Sequence, residues 1–179
     1  EEMVRLVHKL DPNHPVIYTS ADTTALPYIR KYVPGLDIFG MNIYGSVRIA
    51  QGKWDKSGLN IPYCVTEYGP HGPWDVKKDT NGASQDEPDQ AKAAIYRNMT
   101  NEIVGFKGYN VGGFAFHLGE TTQESLTWWN LNYKLLKRPS YWEIYKIYTG
   151  SKPSNLPPRI TVLKLSKTKG IKPGETVDI

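Results

Sequence analysis

The stretch IPYCVTEYGPHGPW, residues 61–74, ends an apolar run in a single carboxylate, Glu67. Strand interiors avoid glutamate, and a buried charge is costly unless it is paired or used. Glu67 is therefore either half of an ion pair with a Lys or Arg, or a group held for chemistry. Two other apolar runs end in polar or aromatic side chains. LDIFGMNIYG carries Asn42 and Tyr44, and VGGFAFHLGE carries Phe116, His117 and Glu120. Carboxylates, phenols and imidazoles are the groups that serve nucleophilic and acid–base catalysis. Tyr68 follows Glu67 directly, and His71, Trp74, Trp128 and Trp129 lie on the segments after these runs.

Other chemistries find little support. The four histidines are scattered, and no two share ligand spacing with a carboxylate, so no metal site is expected. Cys64 is the one cysteine; it cannot form an intrachain disulfide and reads as a small core hydrophobe. No G-x-S-x-G elbow exists. No glycine-rich phosphate fingerprint follows a strand, so no nucleotide cofactor is expected. Asn98-Met99-Thr100 fits the glycosylation pattern but falls in an expected helix.

The elements that must position these residues alternate along the chain. Residues 1–10 read as an amphipathic helix with Met3, Val7 and Leu10 on one face. VIYTS is a short strand, and Thr23 or Thr24 caps a helix over about 25–32, with Pro27 in its first turn. LDIFGMNIYG and IPYCVTEYG are the next strands, separated by a helical or irregular segment at 47–54. A polar loop over 70–86 is longer than loops usually are without a purpose. A helix over 88–104, the strand VGGFAFHLG and a final helix over about 140–148 complete the pattern. Trp142, Tyr145 and Tyr148 share helical spacing and are expected in the core.

Apolar strands alternating with helices define an α/β chain with a parallel sheet. An open doubly wound sheet and part of a TIM (β/α)8 barrel both fit. In a barrel, the strand ends bearing Asn42, Tyr44, Glu67 and His117 form the active-site face. Four strands are half of a barrel, so residues 1–149 are expected to be part of one, cut from a longer protein. After Gly150 the texture changes. SKPSNLPP reads as a linker, and RITVLKLS and KGIKPGETVDI as the first strands of a truncated β-sandwich over 150–179.

Bulk composition agrees with an ordinary globular domain: 39% hydrophobic and 22% charged. The 5 Trp and 12 Tyr favour a surface for carbohydrate or another flat ligand, although a Tyr-rich core accounts for them nearly as well. Net charge is +4, and residues 151–179 carry all of it, with six basic and two acidic residues. A lysine-flecked tail, not a nucleic-acid footprint, explains that excess. No apolar run approaches the roughly 20 residues of a membrane span.

Taken in order, these segments resemble the second half of a retaining glycoside hydrolase barrel. The resemblance is to the clan of β-glucuronidases, β-galactosidases and β-mannosidases, of a bacterial type with a trailing immunoglobulin-like module. In that clan the seventh strand ends in TEYG or TEFG; here it is Thr66-Glu67-Tyr68-Gly69. The sixth strand ends in Asn followed two residues later by Tyr; here these are Asn42 and Tyr44. HKLDPNHPV resembles the junction before the fifth strand. The eighth strand usually brings a Trp to the sugar site, whereas this chain has Phe116 or His117 there.

The resemblance implies a retaining β-glycosidase with Glu67 as nucleophile and no cofactor. It implies an acid/base glutamate upstream of residue 1, so the isolated fragment is expected to be inactive or nearly so. Retention needs two carboxyl groups roughly 5–5.5 Å apart. Tyr44 is expected to donate to Glu67, and Asn42 to orient Tyr44 or reach the sugar. Tyr68, His71, Trp74, Phe116, His117, Trp128 and Trp129 are the candidate substrate contacts. His117 reads equally as a core histidine, Glu120 as a solvated carboxylate or cap, and one of Trp128 and Trp129 as packed. Strand alternation would place Tyr63 and Val65 beside Glu67 inside the barrel, with Cys64 and Thr66 toward the helices. The expected partner is an oligo- or polysaccharide, and the expected location extracellular or periplasmic. A carbohydrate-binding barrel without turnover and a glycan transglycosylase remain alternatives.

Overall fold

The computed structural model describes residues 1–119 and 125–179. The expected alternation is present. Helix α1 (Glu2–Leu10) leads to strand β1 (Ile17–Ser20), a 3-10 turn (Thr23–Ala25) and α2 (Leu26–Tyr32). Strand β2 (Ile38–Tyr44), α3 (Ile49–Ser57), β3 (Tyr63–Gly69), α4 (Asp89–Gly105) and β4 (Asn110–Ala115) follow. A two-residue hairpin, β5 (Asn132–Tyr133) with β6 (Leu136–Lys137), precedes α5 (Pro139–Thr149). The four long strands form one parallel sheet in the order β1-β2-β3-β4.

Local chemistry sets several of these boundaries. Asp22, not Thr23 or Thr24, caps the turn before α2: its carboxylate accepts from the Thr24 N–H at 2.8 Å. Pro27 stands at the start of α2, where a missing N–H costs nothing. The hairpin β5–β6 was not expected from the sequence. Its turn uses Lys134 at φ 51°, and neither an Asn-Gly nor an Asp-Gly pair marks it.

The core lies between the sheet and its helices. Phe39, Met41 and Ile43 of β2 and Tyr63 and Val65 of β3 pack with Trp54, Met99 and Ile103. The Tyr63 ring lies 4.9 Å from the Trp54 ring of α3. Tyr63 and Val65 therefore face the helices, the reverse of the expectation from simple alternation. Cys64 and Thr66 occupy the other face: a Cβ added at Gly40 would meet the Thr19 and Thr66 side chains. The apolar face of α1 is also different from its expectation. Met3, Val7 and Leu10 are exposed, and Val4 is the buried residue of that helix. On α5 the buried residues are Ser140 and Ile144, while Tyr148 is half exposed.

Both outer strands, β1 and β4, are paired on one side only. Val111 and Phe114 of β4 are exposed, and an apolar groove of about 360 Å³ runs between β4 and α5. Residues 151–179 contain neither helix nor strand. The Ser166 N–H donates to the Asp178 carbonyl at 2.9 Å, and Lys167 pairs with Glu175 at 2.6 Å. The two strands expected in the tail are absent, in keeping with the marginal stability of two strands without a third. Among the described residues no helix is long and apolar enough to cross a membrane.

Two outcomes follow from this packing. Among the described residues the Tyr63 hydroxyl and the Trp54 indole N–H are buried with no hydrogen-bond partner, and burial, aided by Asp55, pushes the Tyr63 phenol up to about 12. Tyr63→Phe should leave stability unchanged or raise it by up to about 1 kcal/mol, whereas Tyr68→Phe, which removes a buried bond to Thr100, should cost about 1 kcal/mol in urea unfolding. The second outcome concerns acid. Asp37 accepts from the Val16 N–H at 2.6 Å and meets His8 at 2.7 Å; the backbone bond, then His8, hold its carboxyl below the ordinary range against the effect of burial. That stability is present above the unfolded carboxyl value of about 3.9 and is lost as pH falls through the folded value. Asp37→Asn should reduce stability at pH 7 and flatten the acid limb of a melting-temperature profile.

Candidate active site

The ends of β2 and β3 bring the first two site residues together. In the pairing of these strands, Met41 faces Val65 but Asn42 faces Glu67, leaving Thr66 without a partner. The β3–β4 pairing agrees: Val65 faces Gly113 and Tyr68 faces Ala115, three steps on β3 against two on β4. Thr66 is the extra residue of a β-bulge, a device that re-aims side chains. Two consecutive side chains, Thr66 and Glu67, consequently point to the inner face. Thr66 donates from Oγ1 to Asn42 Oδ1 at 2.7 Å. Tyr44 donates its hydroxyl to Glu67 Oε2 at 2.5 Å.

The cleft around this pair has a volume of about 610 Å³. Tyr44, Trp74, Phe116 and Trp129 give it aromatic walls, and Asn42, Glu67 and Asp75 give it polar ones. Trp129 is central: its ring lies 5.5 Å from Tyr44, 5.7 Å from Phe116 and 5.8 Å from Trp74. The loop after β3 is fastened beneath it. Trp129 donates its indole N–H to the Pro70 carbonyl at 3.2 Å, and Trp128 donates to the His71 carbonyl at 2.9 Å. Gly45 permits the opposite approach. It sits at φ 80°, and any Cβ there would lie within 2.1–2.5 Å of the His71 ring.

Electrostatics keep the tyrosine neutral. Burial, then the hydrogen bond to Glu67, raise the Tyr44 phenol far above its ordinary value, so it remains a donor throughout the working pH range. Burial lowers His117, which favours its uncharged form at neutral pH. Among the described residues no group of three or more His, Cys, Asp or Glu is placed to hold a metal ion.

The structure sorts the expected site residues. Asn42, Tyr44, Glu67, Trp74, Phe116 and Trp129 share one cleft. Tyr68 does not: it is fully buried on the helix side, with its hydroxyl 2.8 Å from Thr100 Oγ1. The bulge explains this, because the residue after Glu67 returns to the helix face. Trp128 and Trp129 are both buried, so the expectation that one is exposed is corrected. Trp128 packs behind the cleft near Lys92, at 5.8 Å, and does not line it. His71 and His117 stand beside the cleft without lining it. The His117 backbone pairs with Trp129 and Leu131. Glu120 lies outside the described residues. Asp75, Ala21 and Thr66 were missed. Asp75 directly follows Trp74 in an irregular loop, where no periodicity says which way a side chain turns.

No protein-family model matches the chain, and no curated protein matches it. Solved structures do. A thermostable mutant of a xylanase from Cellvibrio japonicus is 18% identical, with a TM-score of 0.55 over 81% of this chain and 52% of its own. The catalytic core of a xylanase A gives 18% identity and a TM-score of 0.57 over the same shares, 81% and 52%. An intracellular xylanase from Thermoanaerobacterium saccharolyticum, a mutant in complex with xylotetraose, gives 18% identity and a TM-score of 0.52 over 79% and 47%. The chain thus spans about half the length of these structures. At this identity the likeness defines the fold: an α/β chain whose four parallel strands and outer helices form half of a TIM barrel.

Gly69 tests how tightly the cleft is built. A Cβ there would come within 2.9 Å of the Tyr96 hydroxyl, 3.2 Å of Trp129 Cδ1 and 3.4 Å of the Phe116 carbonyl oxygen. Gly69→Ala should cost about 1–3 kcal/mol in denaturant unfolding, the usual range for overpacking.

Proposed function

We propose that this half-barrel is the nucleophile-bearing part of a retaining glycoside hydrolase acting on β-linked oligo- or polysaccharides. The observation that carries the reading is the Tyr44–Glu67 hydrogen bond, 2.5 Å long, at the strand ends of an aromatic-walled cleft. Tyr44 occupies Oε2, so attack on the anomeric carbon falls to Oε1. The bond from that carbon to the leaving oxygen breaks as the ester to Glu67 forms. A second carboxyl group, contributed by the other half of the barrel, protonates the leaving oxygen and later takes a proton from the water that cleaves the ester. Trp74, Phe116 and Trp129 supply flat apolar surfaces for sugar rings, and Asn42 and Asp75 supply polar contacts to hydroxyls. The xylotetraose-bound neighbour supports an extended sugar chain as the substrate class. Residues 150–179 read as the opening of a β-sandwich module, and a polysaccharide substrate accords with an extracellular or periplasmic location.

Covalent trapping tests this directly. The full-length protein, incubated with a panel of 2-deoxy-2-fluoro-β-glycosyl fluorides, should gain one glycosyl mass on the peptide containing Glu67. Fluoride departs without an acid, so the result reports on the nucleophile alone. Glu67→Gln should abolish labelling, and Tyr44→Phe should slow it by about 10²-fold. A folded protein that binds oligosaccharides but takes no label would instead be a carbohydrate-binding barrel. Products lengthened by an added acceptor sugar would identify a transglycosylase.

A further inference from the structure

Helix α4 presents buried polar side chains at Lys92, Tyr96 and Thr100, one above the other at intervals of four residues. Buried polar groups of this kind are expensive unless each is satisfied. Each one here reaches a segment that carries the cleft. The Lys92 side chain, 3% exposed, donates from Nζ to the Asp86 carboxylate at 2.6 Å and to the Thr127 carbonyl at 2.5 Å. Tyr96 donates its hydroxyl to the Phe116 carbonyl, with the Trp129 carbonyl 3.3 Å away. Thr100 meets the hydroxyl of Tyr68, the residue after Glu67, at 2.8 Å. Arg138 adds a second hold from the far side, donating to the carbonyls of Thr127 at 2.9 Å and Asn130 at 2.6 Å while pairing with Asp89.

The geometry points to Lys92 and Tyr96 as positioning residues that set the Phe116 and Trp129 walls of the cleft, and hence its affinity for sugar chains. This rests on the glycan reading of the cleft. Neither side chain lines the cleft. Each acts through backbone carbonyls: Tyr96 on those of Phe116 and Trp129 themselves, Lys92 on Thr127, two residues before Trp129. Lys92 also ties the loop after β3 to that segment through Asp86, which accepts from Thr127 Oγ1 at 3.0 Å as well. The two loops that meet over Glu67 are thereby locked from behind by one helix face. Burial depresses the Lys92 ammonium, and the Asp86 carboxylate opposes that depression.

Fluorotryptophan-labelled full-length protein separates positioning from general stability. Resonances are assigned by single Trp→Phe substitutions. Tyr96→Phe keeps the ring and loses the carbonyl bonds; Lys92→Met keeps the stem and loses the charge. In both variants the Trp129 fluorine signal should move while those of Trp54 and Trp142 stay in place. Affinity for xylotetraose, measured by calorimetry, should weaken about tenfold, the size of one lost buried hydrogen bond. KM for an activated aryl glycoside should rise in step, with kcat within about threefold of wild type. Lys92→Arg should restore most of the affinity. An unmoved Trp129 signal, or an unchanged affinity, overturns the inference. A wild-type protein that takes up no oligosaccharide overturns the glycan reading instead, and the Trp129 signal tells the two failures apart because it needs no ligand.

Discussion

A single inserted residue governs the site. Side chains on a strand alternate between faces, so Glu67 would by default share the helix face with Tyr63 and Val65. That layer is apolar, and an unpaired carboxylate there would be costly. The bulge at Thr66 resets the phase, so Glu67 emerges on the inner face within reach of Tyr44. The same reset returns Tyr68 to the helix side, where Thr100 satisfies its hydroxyl. One local irregularity therefore fixes the charge, its donor and the packing behind it.

The layers on either side of the sheet have different duties. Outside, Phe39, Trp54, Tyr63 and Ile103 make an apolar core that holds the strands rigid. A site on strands inherits that rigidity, which holds the Tyr44–Glu67 pair in one geometry. The polar stripe of α4 is the exception in this outer layer. Its buried hydrogen bonds go to the segments after β3 and β4, which lie outside the four-stranded sheet. The Phe116 N–H bonds the Tyr68 carbonyl and the His117 N–H the Trp129 carbonyl, and the Tyr96 hydroxyl adds side-chain contacts to the Phe116 and Trp129 carbonyls.

The sheet is open on both edges, and its exposed apolar residues cluster there: Ile17 and Tyr18 on β1, Val111 and Phe114 on β4. A closed barrel would pair both edges and cover these residues.

The alternation of strands and helices and the parallel sheet were legible in the sequence pattern, and the pairing of Tyr44 with Glu67 through the family resemblance. Periodicity determines elements, and a Glu closing an apolar run calls for a partner. The face of each β3 residue was not legible, because a bulge adds no composition signal and depends on the register of two neighbouring strands. Tyr68 was placed in the site and Tyr63 inside the barrel for that reason. Nor were the fates of the loop residues legible. Asp75 entered the cleft while Trp128 withdrew behind it, where its indole N–H meets the His71 carbonyl 57 residues away in the chain. The sequence by itself determined which residues form the strands and which polar and aromatic side chains stand at their ends. Only the tertiary structure decided which way they point, because orientation is settled by registration between strands and by long-range packing that no local pattern encodes.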